Sequence, residues 1–79
     1  MCAGAIFREA LKAGAEEIIV AHNHPSGDPT PSKADYDTTA KLNEGASLVG
    51  LELIDHLIIG VPGSANGLGF VSMAELKAK

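Results

Sequence analysis

Apolar residues change their period from one segment of the chain to the next, and those changes predict the elements. Ile6, Phe7, Ala10 and Leu11 recur at helical spacing across residues 5–13, and Gly14 follows where a left-handed cap closes a helix, so one short amphipathic helix is expected. Residues 17–22 read Glu-Ile-Ile-Val-Ala-His, a continuous β-branched run that predicts a central strand covered on both faces. Regular structure stops over residues 23–31, which hold three prolines, a glycine, an asparagine and an aspartate. Helix signals resume at residues 30–35. Thr30 or Ser32 suits the N-cap, Pro31 the first helical position, and Asp35 and Asp37 the positive end of the helix dipole. This helix is expected to run to about Glu44, with Gly45 and Gly50 punctuating its end. Residues 51–61 predict a second strand with partial alternation, residues 62–69 a glycine-rich loop, and Phe70 and Val71 a brief third strand. Ser72 and Glu75 then fit a capping box that opens a short C-terminal helix.

Composition narrows the classes. The 79 residues are 46% apolar and 20% charged, an ordinary globular balance for one small α/β domain with a thin core, with no internal repeat or dividing linker. The apolar runs are far shorter than a membrane span, and Arg8 and Glu9 interrupt any secretory signal. A single cysteine, Cys2, cannot make an internal disulfide, which together with the missing signal favours a cytoplasmic location. Six basic residues against ten acidic give a net charge of −4 without a cationic stripe, and only Phe7, Tyr36 and Phe70 are aromatic, so a nucleic-acid partner is not expected.

The chemistry concentrates in His22, His24, Ser32 and Asp35. Side chains two apart at a strand end point to one face, so His22 and His24 can converge, and residues three apart on a helix place Ser32 beside Asp35. Two imidazoles and a carboxylate are three of the four ligands of a catalytic zinc site, with water as the fourth. A zinc ion there lowers the pKa of its water toward neutrality and polarises a carbonyl, which is hydrolytic chemistry. Ser32, a poor zinc ligand, can donate to the developing oxyanion. Each residue also has a commonplace role: Ser32 as a helix cap, Asp35 as a first-turn acid, a histidine pair as packed or surface residues. Ser32 is free for both roles only if Thr30 caps instead. The four together, at this spacing, outweigh those separate roles.

The spacing resembles the JAMM (MPN-plus) metalloprotease motif. More specifically, the stretch AHNHPSGDPTPSKAD over residues 21–35 resembles the signature of the bacterial RadC-like (UPF0758) proteins, as do LELIDHLIIG over residues 51–60 and FVSMAE near the C-terminus. The resemblance covers about Phe7 to Glu75. It implies a cytidine-deaminase-like JAMM fold, a mixed sheet flanked by helices, with His22, His24 and Asp35 as Zn²⁺ ligands and Ser32 assisting the water and oxyanion. It also implies a metallopeptidase-like hydrolase whose metal-bound water attacks an amide or isopeptide carbonyl of a peptide or protein. A historical DNA-repair label attached to the family is the weakest reading at this net charge, and a catalytically silent metal-binding module is a further alternative.

Two departures stand against the family pattern. The upstream strand whose glutamate accepts a proton in JAMM enzymes is not in this chain, and Cys2, Ala3, Gly4 and Ala5 stand where the family usually reads His-Pro-Arg and an acid. Residues 1–79 are therefore expected to be one partial domain with its first strands missing, Met1 not its ancestral start, and an exposed sheet edge suited to homo-oligomer formation. Glu9 falls on the polar face of the first helix, and Glu16 and Glu17 lie roughly 17 to 20 Å from His22 along the strand, so none replaces the missing glutamate. Asp55 and His56 are assigned structural hydrogen bonding, and Asp28 either a turn or the orientation of a histidine. The literal His-Asn-His string is too compact for an HNH nuclease unit, and Gly63, Gly67 and Gly69 do not form a phosphate-binding fingerprint.

Overall fold

The computed structural model describes residues 2–78. Its elements are α1 (Ala3–Lys12), β1 (Glu17–Asn23), α2 (Lys33–Leu48), β2 (Glu52–Ile59), β3 (Phe70–Ser72) and α3 (Met73–Ala78). β1 and β2 run parallel, joined by the α2 crossover, and β3 returns antiparallel to β2, giving a mixed three-stranded sheet in the order β1-β2-β3. The α/β class and the order of elements agree with the sequence reading.

Helix ends follow local chemistry. α1 and α2 both close in Schellman motifs: Ala15 N–H donates to Ala10 C=O and Leu51 N–H to Ala46 C=O, around Gly14 (φ +74°) and Gly50 (φ +82°). Gly45, expected to help end α2, lies inside it. A Cβ there would fall 2.9 Å from the Phe7 ring, so the glycine lets α1 lie close against α2. At the other end Ser32 is the N-cap, which leaves Pro31 outside the helix rather than at its first position. Ser72 Oγ accepts from Glu75 N–H and caps α3 as predicted.

The expected central position of β1 is not observed. β2 is the middle strand, and among the described residues β1 pairs on one side only. Val20 is buried on the helix side, with Ile18 and His22 partly so, whereas Ile19 is 61% exposed and Ala21 and Asn23 are also exposed. The β-branched run thus marks strand propensity here and not cover on both faces.

One irregularity in the sheet positions the site. The register passes from Ile18↔Leu53 to Ile19↔Asp55 and skips Ile54, a bulge that reverses the phase of β2. Leu53 lies opposite Ile18 before it, and His56 and Ile58 lie opposite Val20 and His22 after it. The partial alternation of this strand is the trace of that bulge. His56 and Ile58 are fully buried there, in a core shared with Val20, Leu42, Ala46, Leu51 and Met73.

Candidate metal centre

The site forms at the carboxyl end of β1, where parallel α/β units present their ligand-binding crevices, and at the N-terminus of α2. A loop over residues 24–32 joins the two. His24 N–H donates to Ile59 C=O, Gly27 N–H turns back to His24 C=O, and Val61 N–H donates to Gly27 C=O, which fastens the loop to the segment after β2. The Asp28 carboxylate accepts from the Thr30 N–H and hydroxyl, the Thr30 hydroxyl first in lowering its pKa, and so takes the turn-forming role.

His22, His24 and Asp35 converge, with one ligand atom from each all lying within 4.8 Å of one another. His22 Nε2 is 3.1 Å from Asp35 Oδ1, and His24 Nε2 is 2.9 Å from Asp35 Oδ2. Asp35 is buried, and burial pushes its carboxyl upward. Hydrogen bonds from the Ser32 N–H (2.7 Å) and hydroxyl (3.0 Å), together with His24, outweigh that and hold it below the usual carboxylate value, so it is anionic near neutral pH. Asp35 N–H in turn donates to Ser32 Oγ, completing a capping box. Ser32 therefore lies beside the ligands and is also the cap, while Thr30 is occupied with Asp28.

Hydrogen-bond polarity makes this cluster suited to a cation. His24 Nδ1 lies 2.8 Å from the Asp28 backbone carbonyl, which can only accept, so Nδ1 carries a hydrogen and Nε2 is the ring atom left facing Asp35. The orienting acceptor is thus Asp28's backbone and not its carboxylate. His22 Nδ1 lies 2.8 Å from His56 Nε2, and His56 Nδ1 lies 2.6 Å from Thr39 Oγ1. Burial, followed by the neighbouring His22, pushes the His56 pKa down and favours its neutral form. Two imidazole nitrogens and a carboxylate converging within 4.8 Å of one another are the donor set of a divalent transition metal, so the residues present fit such an ion.

The structure brings together all four residues singled out in the sequence: His22, His24, Ser32 and Asp35. Asp55 has the expected structural role, accepting from the His56 and Ala74 amides and the Ser72 hydroxyl. The contact of His56 with His22, and the part of Thr39, were not visible in the sequence. Among the described residues no other carboxylate joins the three-ligand cluster.

Comparison with known proteins agrees with this geometry. The profile of the RadC-like JAB domain matches residues 3–78. The chain is 56% identical over 57 residues to a UPF0758 protein of Carboxydothermus hydrogenoformans, covering 72% of this chain and 25% of that protein. It is 60% identical over 55 residues to a UPF0758 protein of Clostridium perfringens, covering 70% and 24% respectively. A UPF0758 protein of Geobacillus thermodenitrificans is 56% identical over the same length and shares. The aligned part spans about a quarter of these relatives' length.

Proposed function

Because the chain belongs to the RadC-like JAB domain family, we propose that His22, His24 and Asp35 hold a divalent metal ion, zinc by family resemblance, as the centre of a metallopeptidase-like hydrolase acting on an amide or isopeptide bond of a peptide or protein. The observation that carries this reading is the convergence of the His22 and His24 Nε2 atoms on the buried Asp35 carboxylate at 3.1 and 2.9 Å. A bound divalent ion would supply Lewis acidity, polarising a carbonyl oxygen and making a water molecule nucleophilic near neutral pH.

The chain's own residues bind and orient. Asp35 stays ionised through the two hydrogen bonds from Ser32, and His24 is aimed by the Asp28 carbonyl. Ser32 Oγ gives its one hydrogen to Asp35 Oδ2 at 3.0 Å and accepts from Asp35 N–H, so it holds the carboxylate in place and, as the cap, is not free to donate to an oxyanion as the sequence reading expected. The proton acceptor of a JAMM-type hydrolysis is, in this reading, a glutamate that is not among residues 1–79. The three-ligand cluster, joined by no further carboxylate among the described residues, also favours a second reading, a metal-binding module that holds a partner without turnover.

Metal analysis tests the first step. The purified chain, reconstituted with zinc and desalted, should retain about one equivalent, and His22→Ala should retain almost none; retention below a tenth of an equivalent by the wild type would overturn the proposal. The two readings separate in a longer chain that carries the upstream glutamate strand. Chelator-sensitive cleavage of a peptide library supports the hydrolase, and stoichiometric metal without cleavage supports the module.

A further inference from the structure

His56 is 0% exposed, lies 34 residues from His22 in sequence, and is none of the three ligands, yet it touches one of them. Its hydrogen bonds have a direction that starts in α2. Thr39 donates its hydroxyl hydrogen to the Asp35 backbone carbonyl at 2.9 Å, the i−4 back-bond common for threonine in helices. Its hydroxyl then has only lone pairs to offer His56, 2.6 Å away, so His56 Nδ1 carries the hydrogen and donates it. Neutral His56 therefore presents Nε2 as an acceptor, and the group facing it at 2.8 Å is His22 Nδ1.

Neutral His22 has one ring hydrogen and two acceptors in reach, His56 Nε2 at 2.8 Å and Asp35 Oδ1 at 3.1 Å. Donation to Asp35 would leave the Nδ1 lone pair of His22 against the Nε2 lone pair of His56, two acceptors at hydrogen-bond distance in the protein interior. Donation to His56 satisfies the shorter contact, to the fully buried ring, and leaves the His22 Nε2 lone pair against Asp35 Oδ1 at the partly exposed mouth of the site, an opposition that a cation between them relieves. We propose that His56, set by Thr39, is a positioning residue that holds His22 as the Nδ1–H tautomer and so keeps the His22 Nε2 lone pair turned to Asp35, open to a cation, before any metal arrives. The proposal rests on the metal reading of the site for its purpose, but the tautomer itself is measurable without metal. A neutral histidine thereby takes the place next to a ligand that a carboxylate or backbone carbonyl usually fills. The β2 bulge brings it there, by placing His56 on the same side of the sheet as His22.

Long-range ¹H–¹⁵N correlation of the ring nitrogens in the metal-free chain, recorded on the alkaline side of the ring titrations seen in the same spectra, tests this directly. His22 should be protonated at Nδ1 and bare at Nε2. Thr39→Val, which removes the hydroxyl and leaves His56 in place, and His56→Phe should both shift His22 toward Nε2–H. Thr39→Ser should preserve the wild-type pattern, and His56→Gln, whose amide oxygen can accept from His22, should restore it. His24, held by the Asp28 carbonyl, should stay Nδ1–H in every variant and report that the site is still folded. Zinc affinity should fall by roughly 10- to 100-fold in Thr39→Val and recover in Thr39→Ser. A wild-type His22 protonated at Nε2 would mean that the chain of hydrogen bonds runs the other way and would overturn the proposal, as would a tautomer indifferent to Thr39→Val with His24 unchanged. The expected tautomers in a chain that takes up no zinc would support the positioning role and count against the metal reading alone.

Discussion

Asp55 and His56 are adjacent in β2 and face different demands. Asp55 accepts from the amides of His56 and Ala74 and from the Ser72 hydroxyl, tying the central strand to β3 and the start of α3. Burial pushes its carboxyl up, but these three hydrogen bonds outweigh it and hold the pKa below the ordinary value of 3.8. The unfolded chain thus takes up this proton first as pH falls. The stability Asp55 contributes is present above about pH 4 and is lost as pH drops through its lowered folded value. Asp55→Ala should lower unfolding free energy by about 1–3 kcal/mol at pH 7 in urea titrations, and the gap to wild type should narrow at pH 3; a gap that does not change between the two would show that the charge of Asp55 is immaterial. The metal-site residues were legible in the sequence because all four lie within 14 consecutive positions, so strand alternation and the helix turn were enough to bring them together. His56 was not legible, because its contact with His22 depends on a register slip between strands that leaves no short-range signature beyond an imperfect alternation.

At the scale of elements, two loops hold each other. Gly60 lies where a Cβ would fall 2.5 Å from the Gly27 carbonyl, 2.6 Å from Pro29 Cδ and 2.7 Å from Ser64 Oγ, and two of these three neighbours belong to the loop that carries the site from β1 to α2. Gly27, at φ +84°, is pressed against the Val61 side chain from the other direction. Gly60→Ala should therefore cost more than about 2 kcal/mol, as overpacking against backbone does, and weaken zinc binding by displacing residues 24–32. Gly63→Ala, at φ +90° but with open space around it, should cost only about 1 kcal/mol and leave zinc binding unchanged. Thermal unfolding and zinc titration of the two variants side by side separate the effects. Element boundaries were legible where capping chemistry is local, as at Ser32, Gly14 and Gly50, and failed where a tertiary contact decides. Gly45 reads as a helix breaker in isolation and is instead a helical residue that makes room for Phe7.

Among the described residues, one face of the sheet packs on the helices and the other carries exposed apolar side chains. Ile19, Ile54 and Ile59 are exposed on the described surface, and β1 has a free edge among the described residues. Strands left in that state tend to pair. Sedimentation of the 79-residue chain should show concentration-dependent association, and Ile19→Lys should weaken it severalfold without loss of zinc; a strictly monomeric wild type at high micromolar concentration would refute this. The expectation of a central, doubly covered β1 failed at this same scale, since composition tells how apolar a strand is and not how many neighbours it has. The parallel β1–β2 pairing also has a kinetic consequence. Residues 22–35 can assemble His22, His24 and Asp35 from local chain alone, but the His22–His56 contact spans 34 residues and exists only after α2 has crossed over and the two strands have met in their slipped register. Non-local pairing of this kind is the slow part of folding. Tight metal capture should therefore lag behind helix formation in a refolding experiment, which makes the ion a clock for closure of the sheet.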